Sequence, residues 1–394
     1  EAFQSIKARI NNLIPKEMAS IVGGQACLES IVALKDLMES LKITNLDSRP
    51  ESSKLPINYK DRSGWLFNPS ISGIEELDNL LIIGSQPRYE AALLDARIRK
   101  SWLKNNIKIS RIGGGDKTSY EINDLGSDIK IIDQIYKGKH NYNKILEKSN
   151  KTLILIGESV LNRNDGAGIL GRLREIAKKY NFYSNKWNGI GVLHTTANRV
   201  GALEAGFVPG KNGLCTEGIL KSLKSNKIKL LWLLGYDEVI PKNNSESFII
   251  YQGHHGDIGA NSADLILPGS AYTEKNATYI NTEGRVQRTY ASVPPPGNAK
   301  EDWKIIRAFS EYINKVLPYN NISQLRARFE EINKNFNIEN SLIKSDTNDI
   351  GDTSVKLSSS KIEPANINYF MTCPISRSSE TMAKCTISKS KLDM

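Results

Sequence analysis

The sequence is poor in the residues that most often carry metal and redox chemistry. Four cysteines, Cys27, Cys215, Cys373 and Cys385, are spread through 394 residues. None lies in a C-x-x-C pair or a ferredoxin-type run, which argues against a zinc knuckle or an iron-sulfur cluster held by this chain. Of the four histidines, His254 and His255 are adjacent, while His140 and His194 have no ligand-like spacing to that pair. There is no G-x-S-x-G elbow and no cysteine with a local histidine, so nothing supports a hydrolase. Long apolar runs are missing too: the longest, such as Leu230 to Leu234, are strand-sized, far short of the ~20 residues that span a membrane.

What remains is an ordinary globular composition, 39% hydrophobic and 24% charged, in a chain long enough for roughly two to three domains. The excess of 53 Lys+Arg over 43 Asp+Glu gives a net charge of +10. Its lysines, such as Lys221, Lys224, Lys227 and Lys229, are scattered without interleaved aromatics, which describes a solvated basic surface and no nucleic-acid partner. The chain begins at Glu1 without a methionine or an Arg/Ser-rich presequence, so localisation is not legible from this end.

Along the chain, short apolar runs alternate with helical periodicity. Ser20 to Gly24 reads as a strand entering a glycine turn before a helix over Leu28 to Leu41, and Leu80 to Ile83 as a strand buried on both faces before a helix over Ala91 to Leu103. The alternation recurs at Leu153 to Ile156, Ile169 to Tyr180, Gly191 to Leu193, Ile219 to Leu223, Leu230 to Leu234, Phe248 to Tyr251 and Leu265 to Leu267. Such a pattern predicts an α/β fold of two doubly wound lobes. Asp47 to Ser63 reads as a loop, and the polar stretch Ile129 to Lys151 as the separator of the lobes. Helices are expected from near Ala299 and over Ser323 to Phe336. A Ser/Asp/Asn-rich segment, Ser345 to Ser360, is expected to be mobile or held only by a neighbour. The expected boundaries are 1–145 for the first lobe, 146–317 for the second and 318–394 for the helix and extended tail.

Three motifs invite a chemical reading. Gly166 to Gly171 is a literal G-x-G-x-x-G, but about nine residues separate it from the preceding strand and no acidic residue follows at ribose-binding distance. A capped, closely packed helix, with Asn164 and Asp165 as caps, is the simpler reading. Gly113-Gly114-Gly115-Asp116 lacks the lysine and hydroxyl of a P-loop and reads as a turn. His254-His255-Gly256-Asp257 follows an apolar strand, where general bases and ligands often sit, yet its lack of spaced partners favours a hydrogen-bonded loop.

The string Tyr251 to Ala260, continuing through Ala263 to Gly269, Tyr272 to Tyr279, Asn281 to Arg285, Pro295 to Gly297 and Glu301 to Ala308, resembles one family: the largest iron-sulfur subunit of respiratory complex I. Ile83 to Arg88, Ala96 to Trp102, Val192 to His194, Phe207 to Gly210, Tyr369 to Arg377 and Thr381 to Cys385 agree with it. The resemblance covers the C-terminal half of that family, a domain of the molybdopterin oxidoreductase/formate dehydrogenase type that has lost its cofactor. It implies that the Gly84 to Pro87 loop is a vestige of one that binds the guanosine end of that cofactor. No cysteine matches a cluster ligand of the family.

The resemblance therefore implies a split subunit whose cluster-bearing N-terminal half is another chain, with no cofactor, catalytic residue or metal ligand in this one. The role it implies is a structural part of the matrix arm of complex I on the mitochondrial inner membrane, with other complex I subunits as partners and no direct membrane insertion. The alternatives are a catalytic molybdopterin- or NAD-linked oxidoreductase and a free-standing nucleotide-binding module. The regained apolar residues of Asn366 to Cys385 are expected to form an assembly element.

Overall fold

The structure is a computed structural model that describes residues 1–49, 62–184, 187–238, 246–343 and 350–392. Strands β1 (Met18–Val22) and β2 (Leu46–Asp47), joined through the helix Leu28–Ser40, begin a first sheet. The chain then leaves it to build a second from β3 (Asn79–Ile83), β4 (Lys108–Ile112), β5 (Asn123–Asp124) and β6 (Thr152–Ile156). After a small hairpin of β7 (Tyr183–Ser184) and β8 (Trp187–Asn188), β9 (Ile190–Val192) completes the second sheet. Strands β10 (Leu230–Leu234), β11 (Phe248–Gly253) and β12 (Leu265–Pro268) then return to the first. An antiparallel ribbon of β13 (Ala277–Ile280) and β14 (Val286–Thr289) follows.

The strand orders are β12-β11-β10-β1-β2 and β5-β4-β3-β6-β9, with every neighbour parallel. Parallel strands need crossovers that cover both faces, which is why β1, β3, β6 and β10 are buried along their whole length. Side chains alternate between the faces. Leu80, Ile82, Leu153 and Leu155 pack under the helix Ala92–Asn105 with Leu94 and Ile98. Ala19, Ile21, Leu231 and Leu233 pack against Ile219, Leu220 and Leu223 of the helix Thr216–Lys224. The opposite faces, with Leu81, Ile83, Ile154 and Ile156 from one sheet and Val22, Leu230, Trp232 and Leu234 from the other, share one continuous core. The doubly wound α/β fold is thus as expected, and no helix of the described residues is long and apolar enough to cross a membrane.

The lobes are not divided where the sequence suggested. Strands β3 and β6 pair residue for residue across the expected 145/146 boundary, and β1 pairs with β10 more than two hundred residues later. The stretch Ile129 to Lys151 is no separator: it forms the helices Lys130–Tyr136 and Asn143–Leu146, whose Ile132, Ile135 and Leu146 are buried in the shared core. The remaining expected helices appear as Gly166–Lys179, Asp302–Tyr312 and Ile322–Ile332, the last followed by a short 3-10 turn at Lys334–Asn337. Most of the expected loop Asp47 to Ser63 lies outside the described residues, as do 345–349 of the expected mobile segment.

The rest of that segment is seated. Ile350 and Ile362 are fully buried, and Asp352 N donates to Ala167 O at 2.7 Å. Its polar composition hid this, because it docks mainly through backbone groups and two isolated isoleucines. Of the apolar residues expected to bury in Asn366 to Cys385, Pro374 does so, Tyr369 remains 45% exposed, and the others are half-buried.

Candidate functional site

In open parallel sheets ligands bind beyond the C-terminal strand ends, where neighbouring strands lead their connections in opposite directions. This fold has two such points: between β3 and β6 in the second sheet, and between β1 and β10 in the first. Glycines stand at both. Gly84 and Gly157 follow β3 and β6, while Gly23 and Gly235 follow β1 and β10.

The glycine loops approach closely at both points. A side chain on Gly157 would run into the carbonyl of Gly84, and one on Gly23 into the carbonyl of Gly235, so the paired loops touch backbone to backbone. Ser159 Oγ donates to Gly84 O at 2.7 Å. Above them lies the tail, with Ile362 Cγ2 at 3.2 Å from a Cβ placed on Gly84 and 2.9 Å from one on Gly113. Ile362 N is held by Ser127 O at 2.8 Å. The tail runs on across the edge: the rings of Tyr89 and Tyr369 meet at 6.2 Å, Lys389 Nζ stands 3.9 Å above Tyr89, and Arg377 pairs with Asp257 in the loop after β11.

The G-x-G-x-x-G helix serves the same tail. A Cβ on Gly171 would lie 2.7 Å from Asp352 C and Thr353 N, and one on Gly168 2.7 Å from Val355 O. The small residues are a seat for tail backbone. Asp165 occupies the N-cap position but caps nothing; its carboxylate takes Arg163 Nε at 2.8 Å and Ser358 N at 2.8 Å. Burial pushes that carboxyl up, yet these contacts bring it down to about 2. Arg163 Nη2 also donates to Ser358 Oγ and Ser360 Oγ, both at 2.8 Å.

The other motifs are held by local contacts. Asp116 N donates to Gln86 Oε1 at 3.0 Å, tying the Gly113 to Gly115 turn to the Gly84 to Pro87 loop, and its carboxylate accepts from Tyr89 OH at 2.9 Å. His254 Nδ1 and His255 Nδ1 lie 2.7 Å apart, and Asp257 caps the short helix Ile258–Asn261 through Ile258 N at 2.9 Å. His194 Nε2 meets Trp65 O at 2.6 Å, while Tyr142 N donates to His140 Nδ1 at 3.1 Å. Burial lowers both His194 and His254 to about 4. Cys27, Cys215, Cys373 and Cys385 are free thiols, and three of them, Cys27, Cys215 and Cys373, stand at helix N-caps.

A cluster that sequence reasoning missed lies under the first sheet's edge. Lys275, 5% exposed, places Nζ 2.8 Å from Asp302 Oδ2; Ser30 Oγ donates to the same oxygen at 3.3 Å, and Gln252 Nε2 to Oδ1 at 3.2 Å. Burial pulls against the ammonium, but Asp302 holds its pKa above the usual lysine range. Cys27 Sγ, 3.0 Å from Ser30 Oγ, is pushed up to about 11 by burial. These residues come from separate segments of the chain, so no local pattern announces them.

Glu90, by the Gly84 loop, offers a pH test. Burial, with the charge of Glu158 nearby, pushes its carboxyl up to about 7. The native state therefore holds this proton more tightly than the unfolded chain. That contribution is complete below about pH 4.3 and is lost as pH rises through 7. Glu90→Gln should melt near the wild-type temperature at pH 5 and above it at pH 8, a difference of at most about 3 kcal/mol. Melting curves whose difference ignores pH would rule Glu90 out. His194 and His254 have the opposite sign: their contribution is lost as pH falls from about 6.5 through 4.

Comparison with known proteins agrees with this fold. The Molybdopterin oxidoreductase family matches residues 1–312. The chain belongs to that family. Residues 338–385 match the family of the C-terminal region of the NADH-ubiquinone oxidoreductase G subunit, so the strap-like tail carries a family signature of its own. This molybdopterin oxidoreductase relative is 40% identical over 98% of its length to the mitochondrial NADH-ubiquinone oxidoreductase 78 kDa subunit of Candida albicans, and spans 54% of that protein. It is 40% identical to the NADH-ubiquinone oxidoreductase 75 kDa subunit of Reclinomonas americana, covering 94% of the chain and 55% of the relative. To the mitochondrial 78 kDa subunit of Neurospora crassa it is 38% identical, covering 98% of the chain and 52% of the relative. The chain thus spans about half the length of these relatives, as expected for a likeness to the C-terminal half of the subunit. A formyltransferase/hydrolase complex from Methylorubrum extorquens, solved with methylofuran, shares the fold alone: TM-score 0.60, 15% identity, 80% of this chain and 96% of that one.

The family name implies a molybdopterin cofactor, and the residues present do not fit one. At the β3/β6 strand ends Ile362 stands over both Gly84 and Gly113, and Ser159 holds the carbonyl of Gly84.

Proposed function

We propose that this chain is a non-catalytic, structural part of respiratory complex I. In this reading it supports the cluster-bearing N-terminal half of the same complex I subunit, carried by a partner chain, during NADH-to-ubiquinone electron transfer on the matrix side of the mitochondrial inner membrane. The iron-sulfur centres belong to that partner. The observation that supports this reading is the seating of the chain's own tail over the β3/β6 strand ends, where Ile362 stands against Gly84 and Gly113 in a place where this fold would hold a molybdopterin or dinucleotide. No observation favours the catalytic alternative.

Gentle purification through a tag on this chain, with identification of what accompanies it, tests the reading. Recovery of the respiratory assembly, including a cluster-bearing chain, is expected. Recovery of the chain alone with stoichiometric molybdenum or nucleotide would overturn it. In assembled complex, His255→Ala should leave NADH-driven cluster reduction unchanged, because this ring contacts His254 within a loop. A specific loss of cluster reduction at normal assembly, read by EPR, would show that the ring has a redox role.

A further inference from the structure

The helix Ala92–Asn105 is pinned on its inner side and bare on its outer one. Leu94 and Ile98 pack on the second sheet, Ser101 Oγ donates to Ile74 O at 2.7 Å, and Asn105 Nδ2 donates to Glu75 O at 2.8 Å. Arg97 and Lys100 both hold the carboxylate of Glu75, each at 2.6 Å. The outer face is thus presented on a fixed support. At 3.6 residues per turn it carries Ala92, Ala96, Arg99 and Leu103 in one row, with Leu93 to one side. Leu93 is 87% exposed, more than any other large apolar side chain of the described residues, and Leu103 is 59% exposed.

The unpaired charges on this face have one sign. Arg99 and Lys104, with Lys108 at the start of β4, are exposed and have no carboxylate partner among the described residues. The acids nearby are already committed: Glu75 serves Arg97 and Lys100, and the half-buried Asp95 accepts from Tyr120 OH at 2.5 Å. A lone surface leucine is ordinary. Two on one helix face, beside cations that lack an opposite charge, make the mixture by which an interface is recognised: apolar anchors and a single-sign field.

We propose that the outer face of the helix Ala92–Asn105 docks an acidic amphipathic helix belonging to another subunit of complex I. Leu93 and Leu103 stand about 15 Å apart along the axis, so they would enter the apolar stripe of a partner helix about three turns long. Ala96, between them, lets the two backbones approach, and carboxylates flanking the stripe would answer Arg99 and Lys104. A second copy of this chain would bring the same cations and be repelled. Nucleic-acid phosphates would answer the cations and leave both leucines in water. The inference rests on the structural reading proposed above, because it needs an assembly to dock into.

The test uses the assembly purified through this chain. Carbodiimide, which joins lysine amines to carboxylates they touch, should couple Lys104 to an Asp or Glu of another subunit, within a segment whose apolar residues recur at helical spacing. Coupling of Lys100 to Glu75 is the internal control. Hydroxyl-radical footprinting should oxidise Leu93 and Leu103 several-fold more slowly in the assembly than in the digested peptide. Leu93→Asp with Leu103→Asp should weaken this contact by roughly tenfold or more, read as loss of the Lys104 cross-link. Should that variant fail to fold, Arg99→Glu must still lower the cross-link several-fold. Recovery of the assembly with both leucines freely oxidised and Lys104 uncoupled overturns this proposal and leaves the structural reading standing. Protection that appears only on adding vesicles of anionic lipid overturns it too, in favour of a membrane contact. Recovery of the chain without any assembly overturns both readings.

Discussion

Lys275→Met should cost about 3 to 5 kcal/mol of stability, the largest effect expected of any single substitution here. Methionine matches the length of the lysine stem, so packing is kept and the loss falls on Asp302. That carboxylate is 5% exposed and would be left with Ser30 and Gln252, two neutral donors, to offset a full buried charge. Coupling gives a sharper check: Lys275→Met with Asp302→Leu should lose clearly less than the sum of the two single changes, because the second removes the charge stranded by the first. Urea midpoints of the four proteins measure this. Additive losses, or a Lys275→Met cost under about 1 kcal/mol, would show that the pair does not hold the first sheet's edge to the helix Asp302–Tyr312.

Gly171→Leu should free the tail while leaving the lobes folded. Leucine is a better helix former than glycine by roughly 0.8 kcal/mol, so the helix Gly166–Lys179 gains locally. Its side chain, however, would have to enter the space of the Asp352 and Thr353 backbone, which starts 2.7 Å from the Cβ position and cannot swing aside as a flexible side chain can. Pushed off this seat, the tail gives up the hydrogen bond from Asp352 N to Ala167 O, and Ile362 and the Arg163 bonds to Ser358 and Ser360 are no longer anchored. Limited proteolysis should cut within 350–362 at least tenfold faster than in wild type, at an unchanged far-UV CD spectrum. Equal protection of the tail would show that other interactions seat it.

The sequence made the strands plain because Leu80 to Ile83, Leu153 to Ile156 and Leu230 to Leu234 are continuous apolar runs, the pattern required of a parallel strand covered on both faces. It could not show which strands share a sheet. Val22 pairs beside Leu234, and nothing local in either residue encodes that separation. The tail was misread for a different reason. Serines and aspartates signal poor burial, but here Asp352, Ser358 and Ile362 dock through main-chain N–H groups, which nearly every residue type carries. The glycines of 166–171 were legible as close packing, though not what packs on them. Lys275, Asp302, Ser30, Gln252 and Cys27 meet only once the first sheet and the helices packed on it are built.

The interrupted path of the chain through its sheets also sets an order of events during synthesis. All strands of the second sheet have been made by Val192, so that lobe can close while the first still lacks β10, the strand that sits beside β1. From the emergence of Val22 to that of Leu230, β1 must wait about 10 to 40 s at the usual rates of translation, with its apolar edge unpaired. Met18–Val22 then keeps the edge that β10 will cover open to other unpaired strands until Leu230 is made. A ribosome stalled after β9 would present a complete second sheet tethered to a first sheet that has only β1 and β2.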